Sequence, residues 1–231
     1  MRGIIQLKKA EVRRQKSKKM VKYPIFLDLN GRRVVIIGGG SVATRKAETI
    51  LGTGARLVVI APRLDEMLRK VCSGTKAELI ESKYSKDYLV GATLVIAATN
   101  DEALNKQIYK DCQQLEILCN VVDSPGLCDF YVPAVVQRGD LQIAIGTGGK
   151  SPAYAGHLRK KLENVFTEKH GEFLAQLEAI RGFTIEKIAD ATERKAILGQ
   201  LAGDDSFEYF LQNGPEQWRK RAEEEIIKEE K

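Results

Sequence analysis

The sequence predicts an α/β protein: a Rossmann-like doubly wound parallel sheet followed by a small α+β segment and a C-terminal helical region. Three observations predict it. Five short apolar runs alternate with helical stretches as far as residue 122, the order expected of βαβ units joined by right-handed crossovers. Gly38-Gly39-Gly40 stands between the first run and its helix, where a tight phosphate-binding turn belongs. After residue 130 the alternation stops. Two adjacent strand-like runs share a Gly139-Asp140 hairpin turn, and beyond residue 166 the periodicity is helical throughout.

The first strand is Arg33-Val34-Val35-Ile36-Ile37, and the helix that follows the glycines ends near Gly52. With the second strand at 57–60 this completes a βαβ unit of about 30 residues. Gly38, Gly40 and Ala43 form a G-x-G-x-x-A fingerprint: the glycines allow a pyrophosphate to approach the backbone, and the small third residue keeps helix and sheet close. An acid normally closes the second strand to hold the adenosine ribose. Here the strand runs into Ala61-Pro62-Arg63-Leu64, with Asp65 a few residues late. Arg63 suits adenine stacking or a 2′-phosphate, so the choice of NAD or NADP stays open.

A short helix is expected over 65–72, a third strand over 77–81 and a fourth, buried strand over 93–99. Asp101 and Glu102 open a helix that runs to Gln114, acids standing where the helix dipole favours them. The fifth strand, 117–122, ends in Asp123-Ser124-Pro125-Gly126. The hairpin strands are expected at 130–138 and 141–145. A second glycine turn, Gly146-Thr147-Gly148-Gly149-Lys150-Ser151, precedes a helix with Ser151 as N-cap and Pro152 at its first position, ending near Phe166. Further helices are expected at 172–180, 185–201, 206–211 and from 216. The resulting scheme is a basic leader at 1–21, a dinucleotide-binding domain at 22–130, a dimerisation segment at 131–166 and a helical domain at 167–231.

The chain carries a formal net charge of +6, but residues 1–19 hold eight Lys or Arg against one acid. The rest is close to neutral, which argues against nucleic acid as a partner. The basic arm lacks the apolar core of a signal peptide, and no run of 18 apolar residues occurs, so no membrane span is expected. Cys72, Cys112, Cys119 and Cys128 have no C-x-x-C spacing and read as free thiols in a reducing cytoplasm.

Open α/β sheets bind ligands at the carboxyl ends of their strands. Three polar elements are expected there: residues 38–42, Thr99-Asn100-Asp101, and Asp123-Ser124. Asp123 is either a general base or the opening residue of a turn, and spacing alone weighs the two equally. His157 and His170 are too few and too scattered for a metal site.

Taken together, Tyr23-Pro24-Ile25-Phe26-Leu27-Asp28-Leu29, the run from Val34 to Lys46, Ala98-Thr99-Asn100-Asp101, Asn120-Val121-Val122-Asp123, Phe130-Tyr131-Val132-Pro133-Ala134 and Thr147-Gly148-Gly149-Lys150-Ser151-Pro152 resemble the precorrin-2 dehydrogenase module of siroheme synthases. The resemblance covers residues 22–165 and, more loosely, the helical tail. It implies NAD-dependent oxidation of precorrin-2 to sirohydrochlorin, with iron insertion by the same site in some members, and a homodimer that exchanges elements after the Rossmann domain. It also implies that Ser41, Val42, Pro62 and Arg63 hold the cofactor, beside Gly38, Gly39, Gly40 and Thr99 offered by the turn and the strand end, and that Asp123 is the essential acid. Thr147 falls where some members carry a serine that can be phosphorylated. No counterpart of the methyltransferase domain fused in some siroheme synthases is present, so only the dehydrogenase and chelatase steps are expected. Precorrin-2 bears many carboxylates, for which Arg45, Lys46, Thr147 and Lys150, with Arg138 and Arg159, are the candidate partners. A nucleotide-sensing regulatory module is the competing reading; it would have no use for Asp123 beside two glycine turns.

Overall fold

The computed structural model describes residues 22–229, so the basic leader lies outside the described residues. Two compact units are present, divided between Val132 and Pro133.

The first unit is a five-stranded parallel sheet in the order β3-β2-β1-β4-β5, with β1 at Arg33–Ile37, β2 at Arg56–Ala61, β3 at Glu78–Glu81, β4 at Leu94–Ala97 and β5 at Leu118–Val121. Alternate residues of these β-branched strands point to opposite faces, and both faces are covered. Val34, Ile36, Leu57 and Val59 pack with Ala43, Ala47 and Ile50 of α1 (Ser41–Leu51) and Leu68 of α2 (Glu66–Cys72). Val35, Ile37, Val58 and Ile60 pack with Ile108 and Cys112 of α3 (Glu102–Gln114). Each such buried Val or Ile contributes about 1.5 to 3 kcal/mol relative to exposure, which is why a near-continuous apolar strand is stable only in this sandwich.

The chain reverses its direction of sheet growth between β1 and β4, and the glycine turn sits at that switch. Gly38 has φ 136°, and a Cβ there would strike the carbonyl of Ala98; a Cβ on Gly39 would meet the Arg63 carbonyl and stand 2.9 Å from Ala61 Cβ. Only glycine lets three chain segments come this close.

The second unit begins with a hairpin of β6 (Ala134–Arg138) and β7 (Leu141–Ile145), paired so that Arg138 faces Leu141 across Gly139-Asp140. Residues 130–133 are not strand, contrary to the sequence expectation; Pro133 has no N–H for a ladder. Helices α4 (Pro152–Val165), α5 (Glu168–Lys187), α6 (Ala191–Leu201) and α7 (Asp204–Glu229) follow. Phe173, Ile180, Phe210, Trp218 and Ile226 form the helical core, and Trp218 Nε1 donates to Ser206 Oγ at 2.8 Å.

Three helix boundaries differ from expectation. Helix α5 starts four residues early because His170 Nδ1 accepts the Thr167 N–H at 3.1 Å, a reciprocal cap that the composition does not advertise. The run 185–201 breaks at Ile188, where Asp190 caps the next helix by accepting from Thr192 and Glu193 N–H at 2.9 and 2.8 Å. The last two segments join through a kink, with Gly214 at φ 80° followed by Pro215.

Candidate dinucleotide and catalytic site

A crevice of about 880 Å³ opens at the carboxyl ends of β1, β2 and β4. Its walls include Gly38, Gly39, Gly40, Ser41, Val42, Pro62, Arg63 and Thr99, so one cleft gathers all eight residues that the sequence offers for a cofactor. Their placement follows from backbone bonds. Gly38 N–H continues the β1–β2 ladder to Ile60 at 2.9 Å, Ala98 N–H reaches Ile37 at 2.8 Å, and Asp65 N–H holds the Gly39 carbonyl at 2.9 Å.

Helix α1 enters the crevice from Gly40, and no side chain caps it. Its first N–H groups are therefore available, and together with the helix dipole they form an anion site. The neighbouring helix is closed instead: Asp101 Oδ1 accepts from Ala103 and Leu104 N–H at 2.9 and 3.0 Å. Thr99 is held beside it, its hydroxyl donating to Asn105 Oδ1 at 2.7 Å while Asn105 Nδ2 returns a bond to the Thr99 carbonyl at 2.9 Å. An open helix N-terminus, glycine backbone at the wall and an apolar floor of Ile37 and Ile60 fit a dinucleotide.

Lys83, Tyr84 and Leu104 also line the crevice and were not singled out from the sequence. Tyr84 donates its hydroxyl to Asp111 Oδ2 at 2.8 Å, and Gln107 Nε2 donates to Asp111 Oδ1 at 3.0 Å. Burial, and then the bond to Asp111, push the Tyr84 phenol well above its ordinary range. Nothing in the local pattern marks this network, because its members come from a loop and a helix 27 residues apart.

Asp123 and Ser124 do not line this crevice. The expected convergence of three elements is thus two at the crevice and one beside it, because β5 lies one strand beyond the β1–β4 switch. Asp123 is exposed and sits at φ 59°, a left-handed conformation that Asp and Asn tolerate better than other side chains. Ser124 N–H closes the turn to Val121 at 3.2 Å. Its charge is felt by half-buried Lys46 on α1: burial and then Arg45 lower the Lys46 pKa, while Asp123 raises it. Arg45, Lys46 and Asp123 therefore form one charged border in the first unit.

The remaining basic candidates divide. Arg138 is committed to structure, donating from Nε to the Phe166 carbonyl at 2.8 Å and from Nη2 to the Glu163 carbonyl at 3.2 Å, and pairing with Glu168 at 3.3 Å. It closes the carboxyl end of α4, where a cation offsets the dipole. Arg159 is paired with Glu163 on the same helix. In the second unit Lys150 is exposed, and Thr147 is half-buried with its Oγ1 accepting the Ser151 N–H at 3.2 Å.

The family model described as "Putative NAD(P)-binding" matches residues 25–134, and the one described as "Sirohaem biosynthesis protein central" matches 138–164. The siroheme synthase of Psychrobacter arcticus is 40% identical over 173 residues, 75% of this chain and 32% of that protein. The chain is thus similar to siroheme synthases over three quarters of its own length and carries the sirohaem biosynthesis central region. Siroheme synthase 3 of Aeromonas hydrophila is 35% identical over 83% of this chain and 41% of its own length. The chain spans about a third of the length of the first of these family relatives. A solved structure titled SirC, precorrin-2 dehydrogenase, has the same fold, with a TM-score of 0.72 at 24% identity, covering 87% of this chain and 99% of that one.

Proposed function

We propose that this chain oxidises precorrin-2 to sirohydrochlorin with NAD as the acceptor. The observation that carries the reading is the uncapped N-terminus of α1 in a crevice, with the carboxylate of Asp123 in a left-handed turn one strand beyond it. The NAD(P)-binding family match and the siroheme synthase relatives support it. When bound, the nicotinamide supplies the hydride acceptor.

The chain's own residues would do the rest. Ser41 and Val42 N–H groups would hold the pyrophosphate, while Pro62 and Arg63 would border the adenosine. Arg45 and Lys46 would draw in substrate carboxylates. Asp123 would accept the proton released as the carbon skeleton loses its hydride; a carboxylate at this turn is reachable from solvent and can pass the proton on. The same group would accept pyrrole protons if a divalent metal is inserted into the product.

The working form would be a homodimer in the cytoplasm, free of nucleic acid and membrane. The four described cysteines are free thiols, which suits a reducing compartment, and no described helix is long and apolar enough to cross a membrane. The hairpin and its exposed Val135 offer edges that a second copy would cover. Anaerobic incubation with precorrin-2 and NAD should give the absorbance of sirohydrochlorin together with NADH. Subsequent addition of Fe(II) or Co(II) tests chelation. NAD binding without turnover would favour the nucleotide-sensing alternative, and light scattering that gives a monomer at micromolar concentration would remove the dimer.

A further inference from the structure

We propose that Asp65 reads the adenosine ribose and excludes a 2′-phosphate, so that this chain prefers NAD to NADP although its second strand ends without an acid. The inference rests on the dinucleotide reading of the crevice.

The loop from Ala61 to Asp65 turns back over the glycine turn instead of leaving the sheet. The Arg63 carbonyl packs against Gly39, and the Asp65 N–H donates to the Gly39 carbonyl at 2.9 Å. The Asp65 backbone is thereby fixed relative to the phosphate turn. Its carboxylate lines the crevice, with Oδ2 3.9 Å from where a Cβ on Gly40 would stand.

Asp65 also occupies the position before α2 where an aspartate usually caps the helix, yet its side chain makes no capping bond. Among the described residues it has no hydrogen-bond or ion-pair partner. Asp101, at the corresponding position before α3, spends its carboxylate on two helix N–H groups. Asp65 keeps both oxygens free, beside an anion site, which makes sense if they receive hydroxyl donors. A vicinal ribose diol supplies two.

A 2′-phosphate would bring nearly two negative charges against this carboxylate. Arg63 is the counter-candidate, since its guanidinium suits a phosphate. It reaches the crevice on a long, exposed side chain whose ordering costs more than that of a short aspartate, and the carboxylate beside it, itself exposed, opposes the same phosphate.

Titration calorimetry of the full chain with NAD⁺ and NADP⁺, without precorrin-2, tests this. Wild type should bind NAD⁺ at least about tenfold more tightly than NADP⁺. Asp65→Asn should lower the NAD⁺ to NADP⁺ preference about tenfold or more, and Asp65→Glu should retain part of it. Equal binding of the two by wild type, or an unchanged ratio in Asp65→Asn, overturns the assignment while leaving the dinucleotide site intact. Failure of wild type to bind either one overturns the site itself, and the assignment with it.

Discussion

Gly38-Gly39-Gly40 and Thr147-Gly148-Gly149-Lys150-Ser151 look alike in sequence, each a glycine-rich turn entering a helix, but their helix ends are finished differently. The first leaves α1 without a side-chain cap. In the second, Ser151 Oγ accepts the Tyr154 N–H at 3.2 Å and Thr147 Oγ1 accepts the Ser151 N–H at 3.2 Å. Four N–H groups at every helix start need partners, and a turn that supplies its own has fewer left for a ligand. Unspent donors, more than glycine content, separate an anion site from a structural turn.

The largest expected effect tests whether the chemistry belongs with the open turn. Asp123→Asn keeps the left-handed turn, because Asn tolerates it, and removes the proton acceptor. Precorrin-2 oxidation should fall by roughly 10² to 10⁴ with NAD affinity near wild type. Steady-state rates set beside a binding titration decide it, and an unchanged rate would leave Asp123 as a turn residue only.

Gly38→Ala should cost about 3 kcal/mol of stability, since it combines a disfavoured φ with a clash against the Ala98 carbonyl. Denaturant midpoints measure it. Gly40→Asp is the sharper probe of binding, because a Cβ there meets only Asp65 Oδ2 at 3.9 Å and the fold should tolerate it. Charge placed at the open helix end should weaken NAD at least tenfold, about 1.4 kcal/mol. If a folded Gly40→Asp variant binds normally, the contrast between the two turns fails.

Ser151→Ala should cost about 1 kcal/mol of stability, as for a lost N-cap, and leave NAD affinity unchanged. The smallest effect concerns pH. Because the Tyr84 phenol is raised in the folded chain, its contribution is fully present below its ordinary value of 10 and is lost as pH rises above that. Tyr84→Phe should therefore make the loss of stability between about pH 10 and 12 shallower, as read from thermal melts.

How much was legible beforehand varies with how local the cause is. The strands were plain because fully buried parallel strands are apolar end to end, as Val34 to Ile37 and Leu94 to Ala97 are. The candidate glycines of the crevice were plain because a phosphate turn demands glycines at set positions. The break at 188–190 and the early start of α5 were less so, since Asp190 and His170 act as caps only in the context of their neighbours. The place of Arg138 was illegible for a related reason: its charge leaves a substrate anion or a surface position open, and folding brings it to the Glu163 and Phe166 carbonyls.

By itself the sequence determined the β-α alternation, the glycine turn and the hairpin, which follow from side-chain periodicity and from backbone conformations that few residues allow; its motifs also carried the resemblance to siroheme synthases. Tertiary structure alone decided which polar groups are spent and which are free. It tied Tyr84 to Asp111 across 27 residues, left Asp65 without a partner among the described residues, and set Asp123 one strand away from the crevice. The physical reason is that a hydrogen bond or a charge contact depends on distance in space, and distances between segments far apart in the chain exist only once the sheet has assembled.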